Sequence, residues 1–222
     1  MIKWAIGGFI IGLRNKEESH TIANTAKGTT FHIGNITGQM CLGNIVVMFW
    51  TGLDFVPSAT KNMINNQREQ FPKTVLEIMD KDERVVVLLG DIGVYAFKDI
   101  FAKYPTRCYN IGICEQSMVG MAAGLSMAGF IPIVHTIEPF LVDRAFEQIK
   151  DDFGYQELKG NIVGVDVSET APNLGYTHQC PHALEHMDNV RGMNVFVPLN
   201  AADFDSVFKR NYDKSLNYFR IV

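Results

Sequence analysis

The chain has 222 residues, 47% of them hydrophobic and 20% charged, with a formal net charge of −4. That make-up gives room for a substantial core, and because acids and bases are interspersed it leaves no electrostatic footprint for nucleic acid or an anionic membrane. Four cysteines, Cys41, Cys108, Cys114 and Cys180, lie far apart with no CxxC pair; this excludes a zinc knuckle or a compact disulfide framework and fits a reducing cytoplasm.

Lys3 followed by the apolar Trp4 to Leu13 has the outline of a signal peptide but is too short to span a bilayer, and no small-residue cleavage site follows. Secretion is therefore not expected. Residues 1–62 carry scattered glycines, Thr/Asn-rich stretches and the apolar patch Ile45 to Trp50, with no sustained helical or strand period. They are read as an irregular N-terminal segment, and 63–222 as the ordered domain. Asn65 to Lys81 reads as a helix with Phe71, Val75, Ile78 and Met79 on one face, provided Pro72 falls in its first turn.

From there strand and helix alternate. Arg84 to Leu89 is a buried-type strand ending at Gly90-Asp91-Ile92-Gly93, Tyr95 to Phe101 is a short helix, and Cys108 to Ile111 is a second strand. A glycine- and alanine-rich helix follows, opened by Glu115. The expected order continues with a strand Phe130 to Thr136, a helix Phe140 to Asp152 and a strand Asn161 to Val167. After a long loop come a helix His182 to Val190, a strand Asn194 to Val197, a helix Ala201 to Tyr212 and a strand Leu216 to Ile221. Such alternation predicts an α/β fold, a mostly parallel sheet with helices on both faces. Ligands of such sheets gather beyond the carboxyl ends of the strands, where Asp91, Glu115, Phe140 and the Thr177-His178-Gln179 loop all fall.

Glu115 is the sharpest candidate. As a first-turn acid it is favoured by the helix dipole whatever its function. Gly112-Ile-Cys-Glu-Gln116, read with Ala128-Gly-Phe-Ile-Pro-Ile-Val134, Pro139 to Gln148 and Gly175-Tyr-Thr-His-Gln179, resembles the pyrimidine-binding domain of transketolase-like thiamine diphosphate enzymes over roughly Val85 to Ile221. The resemblance implies that Glu115 bonds to a ring nitrogen of the cofactor's aminopyrimidine, favouring the imino tautomer whose nitrogen acts as internal base. A shared proton requires a carboxyl rather than an amide.

The resemblance also implies a ring stacked on the pyrimidine for Phe140, a cofactor-side role for Arg144 and Asp91, a substrate-facing imidazole for His178 and a phosphate contact for Arg220. Each has a plainer alternative. Phe140 suits a core, Arg144 suits surface pairing with Asp143 or Glu147, Asp91 suits a turn, and Arg220 suits a solvated charge. His178, His182 and His186 recur every four residues as metal ligands would on one helix, but Pro181 opposes a continuous helix through them, and no metal site is expected in this chain.

Two departures bear on function. Where transketolases read Asp-Gly-Pro before the Thr-His-Gln loop, this chain has Leu174, Gly175 and Tyr176, and Leu174 cannot accept a sugar hydroxyl. The Gly-Asp-Gly…Asn motif that holds magnesium and the cofactor diphosphate is missing, and the chain ends where a C-terminal domain's linker would begin. The expectation is half of a split transketolase-like enzyme, cytoplasmic and independent of membrane and nucleic acid. It would form a homo- or hetero-oligomer with a diphosphate-binding subunit that holds Mg2+, and would transfer a two-carbon ketol unit between sugar phosphates. The alternatives are a fragment of a 1-deoxyxylulose-5-phosphate synthase-like or 2-oxoacid dehydrogenase β-type enzyme, and a non-catalytic interaction domain.

Overall fold

The structure is a computed structural model that describes residues 58–168 and 170–222, with side chains from Gln67 onward, and six short strands within the first 55 residues. The chain divides into two units, Met1–Phe55 and Val56–Val222. In the first, β1 (Lys3–Ile6), β2 (Phe9–Gly12), β3 (His20–Asn24) and β4 (Thr29–Ile33) pair antiparallel in sequence order, and β5 (Gln39–Leu42) pairs with β6 (Ile45–Met48). Strands of four or five residues offer too few alternations to register as a period in the sequence.

The second unit holds one six-stranded sheet, ordered β11-β12-β10-β9-β7-β8. Its strands are β7 (Val85–Leu89), β8 (Cys108–Asn110), β9 (Ile131–Ile137), β10 (Gly160–Val165), β11 (Met193–Phe196) and β12 (Leu216–Ile221). Every neighbouring pair is parallel. A parallel sheet needs a crossover between strands, and helices cover both faces. Val85, Val87 and Leu89 of β7 face one core with Phe71, Val75 and Ile78 of α1 (Ser58–Met79), Ile100 of α2 (Lys98–Lys103), and Phe204 and Phe208 of α7 (Ala201–Asn211). Val86 and Leu88 face the other, with Met118, Val119 and Ala122 of α3 (Glu115–Met127), Leu141 and Val142 of α4 (Glu138–Val142), and Ala183 and Met187 of α6 (Ala183–Asp188). The continuous apolar run in β7 is thus a period-two strand buried on both sides.

Two helical expectations need correction. Pro72 lies in the interior of α1, because the helix begins at Ser58, ahead of the expected start. The ring removes the bond to the Arg68 carbonyl, and burial of Phe71, Val75, Ile78 and Met79 against the sheet holds the helix through it. The helix expected over Phe140 to Asp152 is broken: α4 stops at Val142, a three-residue α5 (Phe146–Gln148) follows, and Ile149–Tyr155 is a π-helix. Asp143, Arg144 and Ala145 form the break, which frees the first two side chains for the partners described below.

The chain runs from β7 to the edge strand β8 and then back past β7 to β9, so the order reverses between β7 and β9. In open α/β sheets the crevice at such a reversal is the ligand site. The Thr136 hydroxyl donates to the Gly90 carbonyl at 3.0 Å, closing the two strand ends together.

Behind that crevice His135 is fully buried and its Nδ1 meets the Val163 carbonyl at 3.0 Å. Burial pushes its pKa down to about 4. The folded protein therefore resists protonation that the unfolded chain accepts, and the stability this residue contributes is present above pH 6.5 and lost as pH falls toward 4. The stability difference between wild type and His135→Gln should shrink by up to about 3 kcal/mol between pH 7.5 and pH 4.5 in urea unfolding. A second expectation concerns packing. A Cβ on Gly160 would lie 2.7 Å from Cε1 of the fully buried Phe153. Gly160→Ala should lower the urea midpoint by the equivalent of about 1–3 kcal/mol with an unchanged m value.

Candidate active site

Four of the six residues singled out in the sequence meet in one chain of contacts. Glu115 opens α3, its side chain 1% exposed. The turn that delivers it needs Gly112 at φ +81°, in the left-handed region. Arg144 Nη1 donates to both carboxylate oxygens of Glu115, each at 3.0 Å. The guanidinium carbon of Arg144 also lies 4.2 Å from the centre of the Phe140 ring, a cation–π contact. On the same ring His178 packs edge-on, with centroids 5.2 Å apart.

The Arg144 pairing is a correction to the surface alternative, in which Asp143 or Glu147 would partner it. With the helix broken after Val142, Arg144 turns back to the start of α3. A carboxylate buried this deeply is costly unless a cation and hydrogen bonds compensate, and Arg144 supplies both. Asp143 in turn accepts from the buried Cys180 thiol at 3.3 Å. That contact, with burial first, pushes the thiol's pKa upward and keeps it neutral.

Asp91 stands apart from this group. It follows β7 at φ +57°, its amide donates to Asn110 Oδ1 and its own Oδ1 accepts from Asn110 Nδ2, both at 3.0 Å. Asn110 Oδ1 also receives the Gly112 amide at 3.2 Å, so this pair locks the β7 and β8 ends into the turn leading to Glu115. Asp91 is exposed, and its hydrogen bonds go to Asn110 rather than to any of the four. Left-handed backbone at a non-glycine residue marks a position held by its surroundings.

Arg220, on β12, is no solvated charge. Its Nε lies 3.2 Å from Glu138 Oε1 and its Nη2 bonds Asp166. Glu138 (fully buried), Asp166 and Tyr218 were not singled out in the sequence. The one signal for Glu138 was a lone acid in the apolar stretch Phe130 to Val142. Tyr218 donates to Glu138 Oε1 at 2.5 Å. Burial pushes the Glu138 carboxyl up to about 7, against the opposing pull of Arg220 and Tyr218.

His178 lies in a 3-10 turn, Tyr176–His178, separated from α6, and His182 and His186 rings are 6.1 Å apart. Among the described residues no three His, Cys, Asp or Glu side chains gather as metal ligands. Leu174 and Tyr176 are both exposed, around Gly175 at φ +75°. No helix of the described residues is long and apolar enough to cross a membrane.

The ion pair yields a direct test. Arg144→Gln leaves the Glu115 carboxylate buried beside a neutral amide and should cost about 1–3 kcal/mol by urea unfolding, while the Glu115→Gln/Arg144→Gln double variant should recover part of that loss. Additive losses would show the two side chains to be uncoupled.

Comparison with known proteins identifies the family of the domain that carries these residues. The profile of the family described as "Transketolase, pyrimidine binding domain" matches residues 66–220. A 6-deoxy-6-sulfo-D-fructose transketolase subunit from Clostridium sp. (strain MSTE9) is 32% identical over 142 residues, 64% of this chain and 44% of that protein. A 1-deoxy-D-xylulose-5-phosphate synthase from Lachnoclostridium phytofermentans is 30% identical over 161 residues, 69% of this chain and 25% of that protein. The chain thus spans less than half the length of these curated relatives. Among solved structures, a split gene transketolase described as an inactive β4 tetramer superposes with a TM-score of 0.61 at 32% identity, covering 70% of this chain and 50% of that one. With more than half of its residues matched, and with the all-parallel sheet in common, the chain belongs to the transketolase pyrimidine-binding-domain family.

Proposed function

We propose that this chain is the pyrimidine-binding component of a thiamine diphosphate-dependent, transketolase-like transferase that moves a two-carbon ketol unit between sugar phosphates, active with a diphosphate-binding partner subunit that holds Mg2+. The observation that carries this reading is the buried Glu115 carboxylate, held by Arg144 beside the ring of Phe140. An aminopyrimidine offers a ring nitrogen for such a carboxyl and a flat face for such a ring, so the residues present fit that end of the cofactor. The diphosphate end, with its Mg2+, is left to the partner in this reading.

Bound thiamine diphosphate supplies the electron sink for carbon–carbon bond cleavage. Glu115 holds a proton at the pyrimidine nitrogen, and its burial strengthens that interaction by keeping water away. Arg144 fixes the carboxylate's orientation and, through its contact with Phe140, couples the acid to the ring. His178, half-buried against Phe140, is placed to hold or donate a proton at a substrate oxygen. Arg220 is the candidate phosphate contact; its guanidinium is shared with Glu138 and Asp166, so it would have to exchange one of them. Asp91 is proposed to act on the cofactor side through the β7–β8 turn rather than by contact with Glu115.

Partner dependence is supported from three directions. The outer side of α3 and its approach expose Ile113, Met121 and Met127, and no charged side chain occurs from Gln116 to Phe130. Two relatives are named as subunits of transketolases, the one from Clostridium and an apulose-4-phosphate transketolase subunit from Phocaeicola vulgatus. The split-gene neighbour is described as inactive in a tetramer of one subunit type. The synthase relative favours a second reading, a 1-deoxyxylulose-5-phosphate synthase-like activity.

The test combines the full chain with a diphosphate-binding transketolase subunit, thiamine diphosphate and Mg2+, with acceptor profiling to separate ketol transfer from synthase activity. The chain alone should give no turnover, the mixture should turn over, and Glu115→Gln should lower kcat by roughly 10²–10⁴ with assembly intact. A Glu115→Gln complex with wild-type kcat would overturn the role given to this acid.

A further inference from the structure

The acid that begins α4 stands, like Glu115, beyond the carboxyl end of a strand but is wired differently. Glu138 follows β9, Asp166 follows β10 and Arg220 lies near the end of β12, so three adjacent strand ends are tied by one cation between two carboxylates. The two acids are not equivalent. Asp166 Oδ1 accepts the Ser168 amide at 2.9 Å and the Ser168 hydroxyl at 2.6 Å, and its Oδ2 takes Arg220 Nη2. Glu138 has the Tyr218 hydroxyl on Oε1, faces Arg220 Nε without hydrogen-bond geometry, and its buried Oε2 has no partner among the described residues. A charge is kept where donors surround it and surrendered where an oxygen is left bare. Glu138 is the group that takes the proton.

Glu138 is two residues from Phe140, on the same short helix. We propose that Glu138 is a positioning residue of the site: its gain and loss of a proton sets how Arg220 is shared across the strand ends and, through α4, how Phe140 is presented to Arg144 and His178. When Glu138 is ionised, Arg220 is drawn to two carboxylates; when it is neutral, Arg220 belongs to Asp166 alone. Burial places this change within the working range, with the carboxyl held up to about 7. The consequence for catalysis rests on the function proposed above, but the proton linkage does not.

The other groups around Glu138 do not compete for this titration. Tyr218 on β12 is pushed well above its usual range by burial, and the Cys180 thiol is raised by burial beside Asp143. Asp143, just past α4, adds a negative charge that favours the neutral acid. His135 on β9 is held neutral by burial, and α6 packs with the uncharged Ala183 and Met187. His178 of the 3-10 turn meets the Phe140 ring, and Glu115 of α3 is engaged through Arg144.

Nuclear magnetic resonance of the full chain, with carboxyl carbons of Glu and Nε of Arg labelled, tests this between pH 5 and 9. The Glu138 carboxyl should titrate near pH 7, and the Arg220 Nε–H and Phe140 ring resonances should move with the same midpoint. Glu138→Gln should remove that titration from both Arg220 and Phe140, and Tyr218→Phe, which removes a donor to the ionised form, should raise the midpoint. A Glu138 carboxyl that titrates below pH 5.5 overturns the proposal, as does an Arg220 and Phe140 titration that persists in Glu138→Gln. If Glu138→Gln does not fold, an unmoved midpoint in Tyr218→Phe overturns it in the same way. None of these readouts involves turnover, so a failed activity assay and a failed proton linkage are told apart.

Discussion

A parallel sheet cannot leave a face to solvent, since each crossover lays a helix against it, and that constraint organises the second unit of this chain. Both faces of β7, β9, β10 and β12 are buried under helices, so the strand interiors are mostly apolar, and buried polar side chains such as His135, Thr136 and Asn217 are hydrogen-bonded. Polar chemistry is left to the strand ends. There the reversal between β7 and β9 opens a crevice, and the acids of the site stand on the turns that leave the carboxyl ends of β8, β9 and β10.

Burial then dictates the electrostatics of that edge. Glu115 and Glu138 are both withdrawn from water, and the surroundings resolve the cost in opposite ways. Glu115 receives a guanidinium nitrogen on both oxygens; Glu138 shares its cation and leaves an oxygen bare. Carboxyls of one domain held in such unlike surroundings are a recurrent feature of catalytic clefts. The broken helix between α4 and the π-helix is part of the same arrangement, because an unbroken helix would leave Arg144 facing Gln148 rather than Glu115.

The order of strands and helices after Asn65 was legible because buried strands and amphipathic helices leave different periods in the sequence, and turns leave glycine and proline between them. Glu115, Phe140 and His178 were legible as a group because each follows a strand in the expected order, whereas Arg144 was named only through the family resemblance and lies in the break after α4, which no local period announces. Asp91 satisfied the same rule, yet it pairs with Asn110, since a side chain on the outer turn meets the neighbouring strand end before it meets the crevice. Glu138, Asp166 and Tyr218 were not legible, because their significance comes from contacts across 54 to 80 positions of sequence.

By itself, then, the sequence determined the alternating α/β fold of the second unit, the placement of the candidate residues beyond the carboxyl ends of the strands and the acid at the head of α3, because each is written in local periodicity and in residues a few positions apart. The tertiary structure alone decided which cation satisfies Glu115, that the helix after Val142 breaks to deliver it, and that Arg220 is bound to Glu138 and Asp166 rather than free in solvent. Those outcomes depend on how much water each buried charge loses and which distant partner replaces it, and neither quantity exists until the strands are brought side by side.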